Sequence, residues 1–297
     1  MSESQVSLFQ RVRRIEMTTR RLVANNFAGA YHSIYKGRGL TFESLRPYVW
    51  GDDIRTIDWN VTARTLAPYV RQYVEERELS VMLVVDASPS VLFGTMERTK
   101  RDFAAELSAT LAYSALFNQD RVGLLLFSDT IERYIPPRKG RKHALHLITT
   151  LLNHESTGKK TDISRALNTL GRTLRAGSII FLLSDFLVPL ESYLQRLYAL
   201  SYRHQVISVV FSDPLEHHIP QVGLLALEDV ESQAIHVVDT GSNRWREQHQ
   251  QQRTSFIQAR SQAFKRAKIA EIDLEHGGDY VSALQTFFRQ QLLMRSR

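Results

Sequence analysis

The sequence predicts an α/β fold: a doubly wound, mostly parallel sheet with helices on both sides, preceded by an N-terminal helix and a small β-rich module. Three observations predict it. The runs SVMLVV, VGLLLFS, SIIFLLS and QVISVVF are short, continuously apolar and rich in β-branched residues, the texture of strands buried on both faces of a parallel sheet. Segments with helical spacing separate these runs, and strand–helix alternation builds a parallel sheet with helical crossovers. The chain before Leu79 has a different texture, dense in Gly, aromatic and charged residues.

In chain order, Val6, Phe9, Val12, Ile15, Leu22 and Val23 recur at mostly three- and four-residue spacing, which predicts an amphipathic helix from Gln5 to Asn26, ended by Gly29. We assign residues 1–28 to this helix and 29–78 to the module, where short alternating runs predict small strands and Gly37, Gly39 and Gly51 supply turns. Residues 79–297 form the α/β domain. SVMLVV opens it, a helix follows from Met96 to Phe117, and VGLLLFS is paired at the edge by IERYI. Helices are expected over His143 to Leu152 and Ile163 to Leu174, and SIIFLLS, QVISVVF and KIAEIDL complete the sheet.

Composition narrows the chemistry. The 297 residues include no cysteine, so any metal must be bound through oxygen or imidazole, and a cytoplasmic location is expected. No signal-peptide core and no run of about 20 apolar residues is visible, so a soluble protein is expected. The net charge of +7 raises nucleic acid and anionic membrane surfaces as partners. Much of the basic excess is local: Arg11, Arg13, Arg14, Arg20 and Arg21 in the first helix, and Arg138, Lys139, Arg141 and Lys142 in a loop. Both read as solvated faces, with membrane-surface contact through the helix as the alternative.

Ligands of open parallel sheets bind beyond the carboxyl ends of the strands, near the point where strand order reverses. Polar residues stand at three such boundaries: Asp86-Ala-Ser88-Pro-Ser90 after SVMLVV, Ser184-Asp185 after SIIFLL, and Thr161-Asp162 before the Ile163 helix. Carboxylates and hydroxyls without imidazole or thiolate are the ligand set of a hard divalent cation, Mg²⁺ or Mn²⁺ first and Ca²⁺ as an alternative. Alternate residues on a tight turn can aim Asp86, Ser88 and Ser90 at one point, with Thr161 and Asp185 arriving from neighbouring loops. Because hydroxyls are neutral, the site is under-compensated and attracts a carboxylate from outside, which makes the metal a bridge to an acidic residue of a partner.

DASPS, KKTDI and LLSD resemble the metal-ion-dependent adhesion site of von Willebrand factor A domains, a Rossmann-like fold. That resemblance implies Ser88, Ser90 and Thr161 as direct ligands, with Asp86 and Asp185 acting largely through water. GRGLTFESLRPYVWGDDIRTIDWNVTAR, followed by YVRQYVEERELSVMLVVDASPSVLFG, is similar to the most distinctive stretch of the domain of unknown function 58 family; DVESQAIHVVDTGS and DYVSALQTFFRQ extend the likeness. Members are typically encoded beside MoxR-type AAA+ ATPases. The resemblance therefore implies an adaptor between such an ATPase and client proteins.

Asp52, Asp53, Arg55, Asp58, Arg64, Glu75, Glu76 and Arg77 precede the first strand. The favoured reading is a charge network with Trp50 and Trp59 as packing anchors that fix the module to the main domain. The alternatives are an ATPase-docking surface or a second acidic site. His217-His218 reads as a loop feature rather than a ligand pair.

Two rival functions are weaker. A Mg²⁺-dependent phosphatase of the haloacid dehalogenase type needs a second carboxylate two residues after its nucleophile, where this chain has Ser88, and no catalytic triad, Walker loop or nucleotide fingerprint is present. A nucleic-acid-binding role would rest on Tyr31, Tyr35, Lys36 and Arg38, with no recognised motif beside them.

Overall fold

The structure, a computed structural model, describes residues 3–26, 31, 40–75, 78–92, 99–217, 219–228 and 234–295. Gly29, Tyr35, Lys36, Gly37, Arg38, Gly39, Glu76, Arg77, His218 and the expected helix start at Met96 lie outside the described residues. The elements are α1 (Glu3–Asn26), β1 (Leu40–Pro47), α2 (Trp59–Thr65), β2 (Tyr69–Glu75), β3 (Ser80–Asp86), α3 (Lys100–Phe117), β4 (Arg121–Phe127), β5 (Ile131–Arg138) and α4 (Arg141–Asn153). They continue with α5 (Ile163–Thr173), β6 (Ile179–Ser184), α6 (Leu190–Ser201), β7 (Gln205–Ser212), α7 (Pro214–His217), β8 (Leu224–Glu228), β9 (Ile235–Asp239), α8 (Asn243–Arg266), β10 (Ala270–Glu275) and α9 (Tyr280–Arg295).

The fold is α/β, with a mixed six-stranded sheet in the order β10-β7-β6-β3-β4-β5. Its neighbours pair in parallel except β4 and β5, which are antiparallel. Read from β5, the strands stand in chain order 3-2-1-4-5-6, a Rossmann-like arrangement. The chain moves from β3 out to β4 and β5, then crosses to β6 on the other side of β3. The β3/β6 junction is therefore the switch point.

The continuous apolar runs are explained by burial on both faces. Val81, Leu83 and Val85 point into one core with α1, α3, α4 and α9, whereas Met82 and Val84 point into a second with α5, α6 and α8. Gly123 in β4 is forced by close approach, because a Cβ there would lie 2.8 Å from the Ile135 carbonyl oxygen and 2.9 Å from the Pro137 nitrogen. The edge strand β5 carries Pro136 and Pro137, which have no N–H to offer a further strand.

Helix α1 buries Val12 and Val23 against α3 and α4 and leaves Arg13, Arg14, Arg20 and Arg21 outside. β1 and β2 form an antiparallel hairpin enclosing α2. Of the expected charge network, Asp52 pairs with Arg46 at 2.7 Å and Asp58 with Arg71 at 2.9 Å inside the module, while Glu78 at its end reaches Arg121 at 2.7 Å and Lys139 at 2.5 Å in the α/β domain. Asp58 also caps α2 by accepting from the Asn60 and Val61 amides. The packing-anchor reading of the tryptophans fails. Trp50 is 95% and Trp59 64% exposed, so neither ring is packed against the main domain. Gly51 is a turn residue at φ +109°. Tyr31 is fully buried, edge-on to Phe288, and so presents no ring to a nucleic acid. The β8/β9 hairpin was not expected; its runs LLALE and IHVVD are short and largely exposed, so neither reads as a core strand.

Candidate metal centre

At the end of β3, Asp86 is 1% exposed and both its carboxylate oxygens are engaged. Oδ1 accepts from the Ser88 amide at 2.9 Å, closing a turn, and Oδ2 accepts from the Ser184 hydroxyl at 2.6 Å. The second bond spans the switch point, since β3 and β6 run side by side with Val85 opposite Leu183. After the turn, Pro89 begins a 3₁₀ turn over Pro89–Leu92, which holds the Ser88 and Ser90 hydroxyls 3.0 Å apart.

Asp185 follows β6 and is 3% exposed. Its Oδ1 accepts weakly from the Leu187 amide at 3.3 Å, while its buried Oδ2 has no hydrogen-bond partner. Phe186, at φ +53°, is locked in the second core against Tyr193 and Phe264 and turns the chain sharply after Asp185. Burial, with Asp185 beside it, pushes the Asp86 carboxyl well above the usual carboxylate range; the Ser184 and Ser88 hydrogen bonds only partly offset this.

Thr161 reaches the same end of the sheet by a chain of backbone bonds. The Ala87 amide donates to the Phe127 carbonyl at 2.7 Å, and the Asp162 amide donates to the next carbonyl, that of Ser128, at 2.9 Å. Asp162 itself caps α5 through the Arg165 amide. The structure thus joins Asp86, Ser88, Ser90 and, through Ser184, Asp185 in one cluster, and brings the Thr161 loop to its rim.

Two participants were missed from the sequence. Lys100, the first residue of α3 after the Thr99 cap, is 1% exposed; its ammonium lies 3.6 Å from Asp185 Oδ2 and is ion-paired with Glu216, which also holds Arg253 at 2.9 Å. The available signal was a lysine in a first helical turn, where the helix field disfavours a cation. Glu132 on β5 is the other. Burial would raise its pKa, but hydrogen bonds from Ser128, Ser156, His154 and the Thr157 amide hold it to about 2. It thereby pins the loop that leads to Thr161. Gly158 in that loop is obligatory: a Cβ there would lie 1.9 Å from Ser128 Oγ.

Among the described residues no three His, Cys, Asp or Glu side chains converge on a metal position, so an ion here would depend on hydroxyls and two carboxylates. The donor set fits a hard divalent cation. Asp185 Oδ2 accepts no hydrogen bond and has only the Lys100 ammonium at 3.6 Å, and the Ser88 and Ser90 hydroxyls, bonded to each other, keep oxygen lone pairs that a cation could take.

The family model described as "Protein of unknown function DUF58" matches residues 44–258, from β1 into α8. The chain belongs to the DUF58 family. The DUF58 match contains every residue of the cluster and leaves α1, β10 and α9 outside. Uncharacterized proteins of Mycobacterium tuberculosis and Mycobacterium bovis are 33% identical over 223 residues, covering 74% of this chain and 70% of theirs. Another, from Mycobacterium avium, is 29% identical over 100 residues, 33% of this chain and 59% of its own. Among solved structures, the conserved hypothetical protein BatB of Bacteroides thetaiotaomicron is 15% identical with a TM-score of 0.47, covering 72% of this chain and 98% of its own. An aerotolerance-related membrane protein of Bacteroides fragilis is 16% identical with a TM-score of 0.48, over 73% and 99%. No helix among the described residues of this DUF58 chain is long and apolar enough to cross a membrane.

Proposed function

We propose that the chain is a metal-dependent protein-interaction adaptor of the cytoplasm rather than an enzyme, with its α/β domain acting as a von Willebrand factor A-like module. Ser88, Ser90 and Thr161 would hold a divalent cation, Mg²⁺ first and Mn²⁺ or Ca²⁺ as alternatives, with Asp86 and Asp185 supporting it through water. The cation would supply an open coordination position for a carboxylate of a partner. The observation that carries the reading is the buried carboxylate pair at the switch point of the sheet: Asp86 saturated by Ser88 and Ser184, and Asp185 whose Oδ2 accepts no hydrogen bond and has the Lys100 ammonium 3.6 Å away.

Lys100 limits the negative charge of the centre, which agrees with a site completed by an outside carboxylate rather than by more of its own. The phosphatase alternative lacks its acid, because the position two residues past Asp86 is a serine engaged with Ser90. By family resemblance the partners are a MoxR-type AAA+ ATPase and a client protein. The exposed segment from Asp52 to Arg64 is the candidate ATPase contact.

Calorimetric titration with Mg²⁺ and Mn²⁺ tests the site. Asp86→Ala should abolish binding in a protein whose circular dichroism is unchanged, and unaltered affinity would sink the assignment. Ser88→Ala and Thr161→Ala should weaken capture of a client while leaving ATPase co-purification in place, whereas Arg55 or Arg64 charge reversal should do the opposite.

A further inference from the structure

A second surface lies at the opposite end of the sheet. The Leu79 amide donates to Asp120 Oδ1 at 2.9 Å and the Arg121 amide to the Leu79 carbonyl at 2.9 Å, which places Asp120 at the amino ends of β3 and β4. There α1 passes over the end of α3 and the start of α4 and leaves an open groove of about 730 Å³.

The groove is apolar along its floor and basic along its rim. Met17 is 64% and Phe117 59% exposed, a large apolar outlay for side chains on packed helices. Arg13, Arg20, Arg21, Lys139 and Arg141 line it with two acids that are buried and already engaged, and Lys139 is ion-paired with the exposed Glu78. Glu16 takes the Arg141 guanidinium at 2.6 Å, and Asp120 takes the Leu79 amide. Arg13 and Arg21 have no ion-pair partner among the described residues. Arg13, Met17, Arg20, Arg21 and Ala24 fall at three- and four-residue spacing and share one face of α1. Gly140 starts α4 without a side-chain cap, so the positive end of that helix adds to the same field.

A flat bilayer cannot fill a recess bounded by two helices, and a small anion would leave the Met17 and Phe117 faces wet. From Arg13 to Ala24 the rim runs roughly 17 Å, the length of a helix of about eleven residues. We propose that this groove docks an acidic amphipathic helix of a partner protein, its apolar stripe on Met17, Leu116 and Phe117 and its carboxylates on Arg13, Arg20 and Arg21. The mode is helix-in-groove recognition with charge steering the register. It is independent of the metal centre.

The test uses the full chain and a fluorescent helix-forming peptide of about twelve residues, with Leu at i, i+3, i+4 and i+7 and Glu elsewhere. Anisotropy should show saturable binding, indifferent to EDTA, weakened by salt, and weakened at least about tenfold when Gln replaces Glu. The double variant Arg13→Glu/Arg21→Glu should lose binding by a similar factor. These exposed, unpaired residues leave the fold intact, and Phe117→Asp gives an independent variant from the other wall. No saturable binding by the parent protein overturns the proposal, as does equal binding by both variants. Binding of phosphatidylserine vesicles that the double variant loses, with no peptide bound, would assign the surface to lipid and overturn it equally.

Discussion

Each end of the sheet holds a cation over a buried carboxylate, and the two pairs differ in what surrounds them. Lys100 is 1% exposed and sits between Asp185 and Glu216, so removing it leaves the buried Asp185 unbalanced, while Glu216 keeps Arg253. Arg141 is 63% exposed, and solvent shares its attraction to Glu16. The difference teaches that Lys100 is an interior charge that fixes structure, whereas Arg141 stands in solvent at an open surface.

The largest expected effect breaks the buried pair. Lys100→Met should destabilise the protein by about 3–5 kcal/mol, because it strands buried charge rather than merely deleting a contact. Chemical denaturation measures this. A loss below about 1 kcal/mol would show that the two ends do not differ as described. Added Mg²⁺ should raise the unfolding midpoint of this variant more than that of the parent, since a divalent ion would then be the remaining neutraliser of Asp185.

A smaller effect concerns Glu132. Its folded pKa of about 2 lies below the ordinary glutamate value, so its contribution to stability is present above that ordinary value and lost as pH falls towards 2. Glu132→Gln should therefore be less stable than the parent near neutrality and converge with it in acid. Parallel stability–pH curves for the two proteins would refute the role given to this side chain. Proteolysis within residues 154–162 should also quicken at neutral pH.

The smallest effect belongs to the open end. Arg141→Ala should leave stability almost unchanged, because solvent screens an exposed ion pair. Heat denaturation at low and moderate salt checks it. A larger loss would mean that the groove is held together by Arg141 rather than merely lined by it.

The same contrast explains what could be read from the chain. The strands of the main sheet were legible because burial on both faces demands unbroken apolar runs. Asp86, Ser88, Ser90 and Asp185 were legible because a strand's end places them by sequence alone. Lys100 and Glu216 were not, because they stand 116 positions apart and meet only through the packing of α3 against the turn after β7. The groove, assembled from α1, α3 and the start of α4, left only a count of arginines in the sequence. Trp50 and Trp59 misled for the opposite reason: tryptophans near charges suggest packing, and nothing local reveals that both rings stand in solvent. The β8/β9 hairpin escaped because its apolar residues, among them Leu224 and Val237, are exposed and follow no burial pattern.

The prolines of β5 bear on how the molecule behaves when crowded. A six-stranded sheet that ended in a regular strand would present a ladder of free amides to its neighbours, the usual starting point of strand-by-strand aggregation. Pro136 and Pro137 stand in that margin where the register against β4 shifts, and they interrupt the regular ladder that an incoming strand would have to grip. Concentrated solutions should therefore be guarded on this flank, and replacing both prolines with valine should make it more prone to strand pairing.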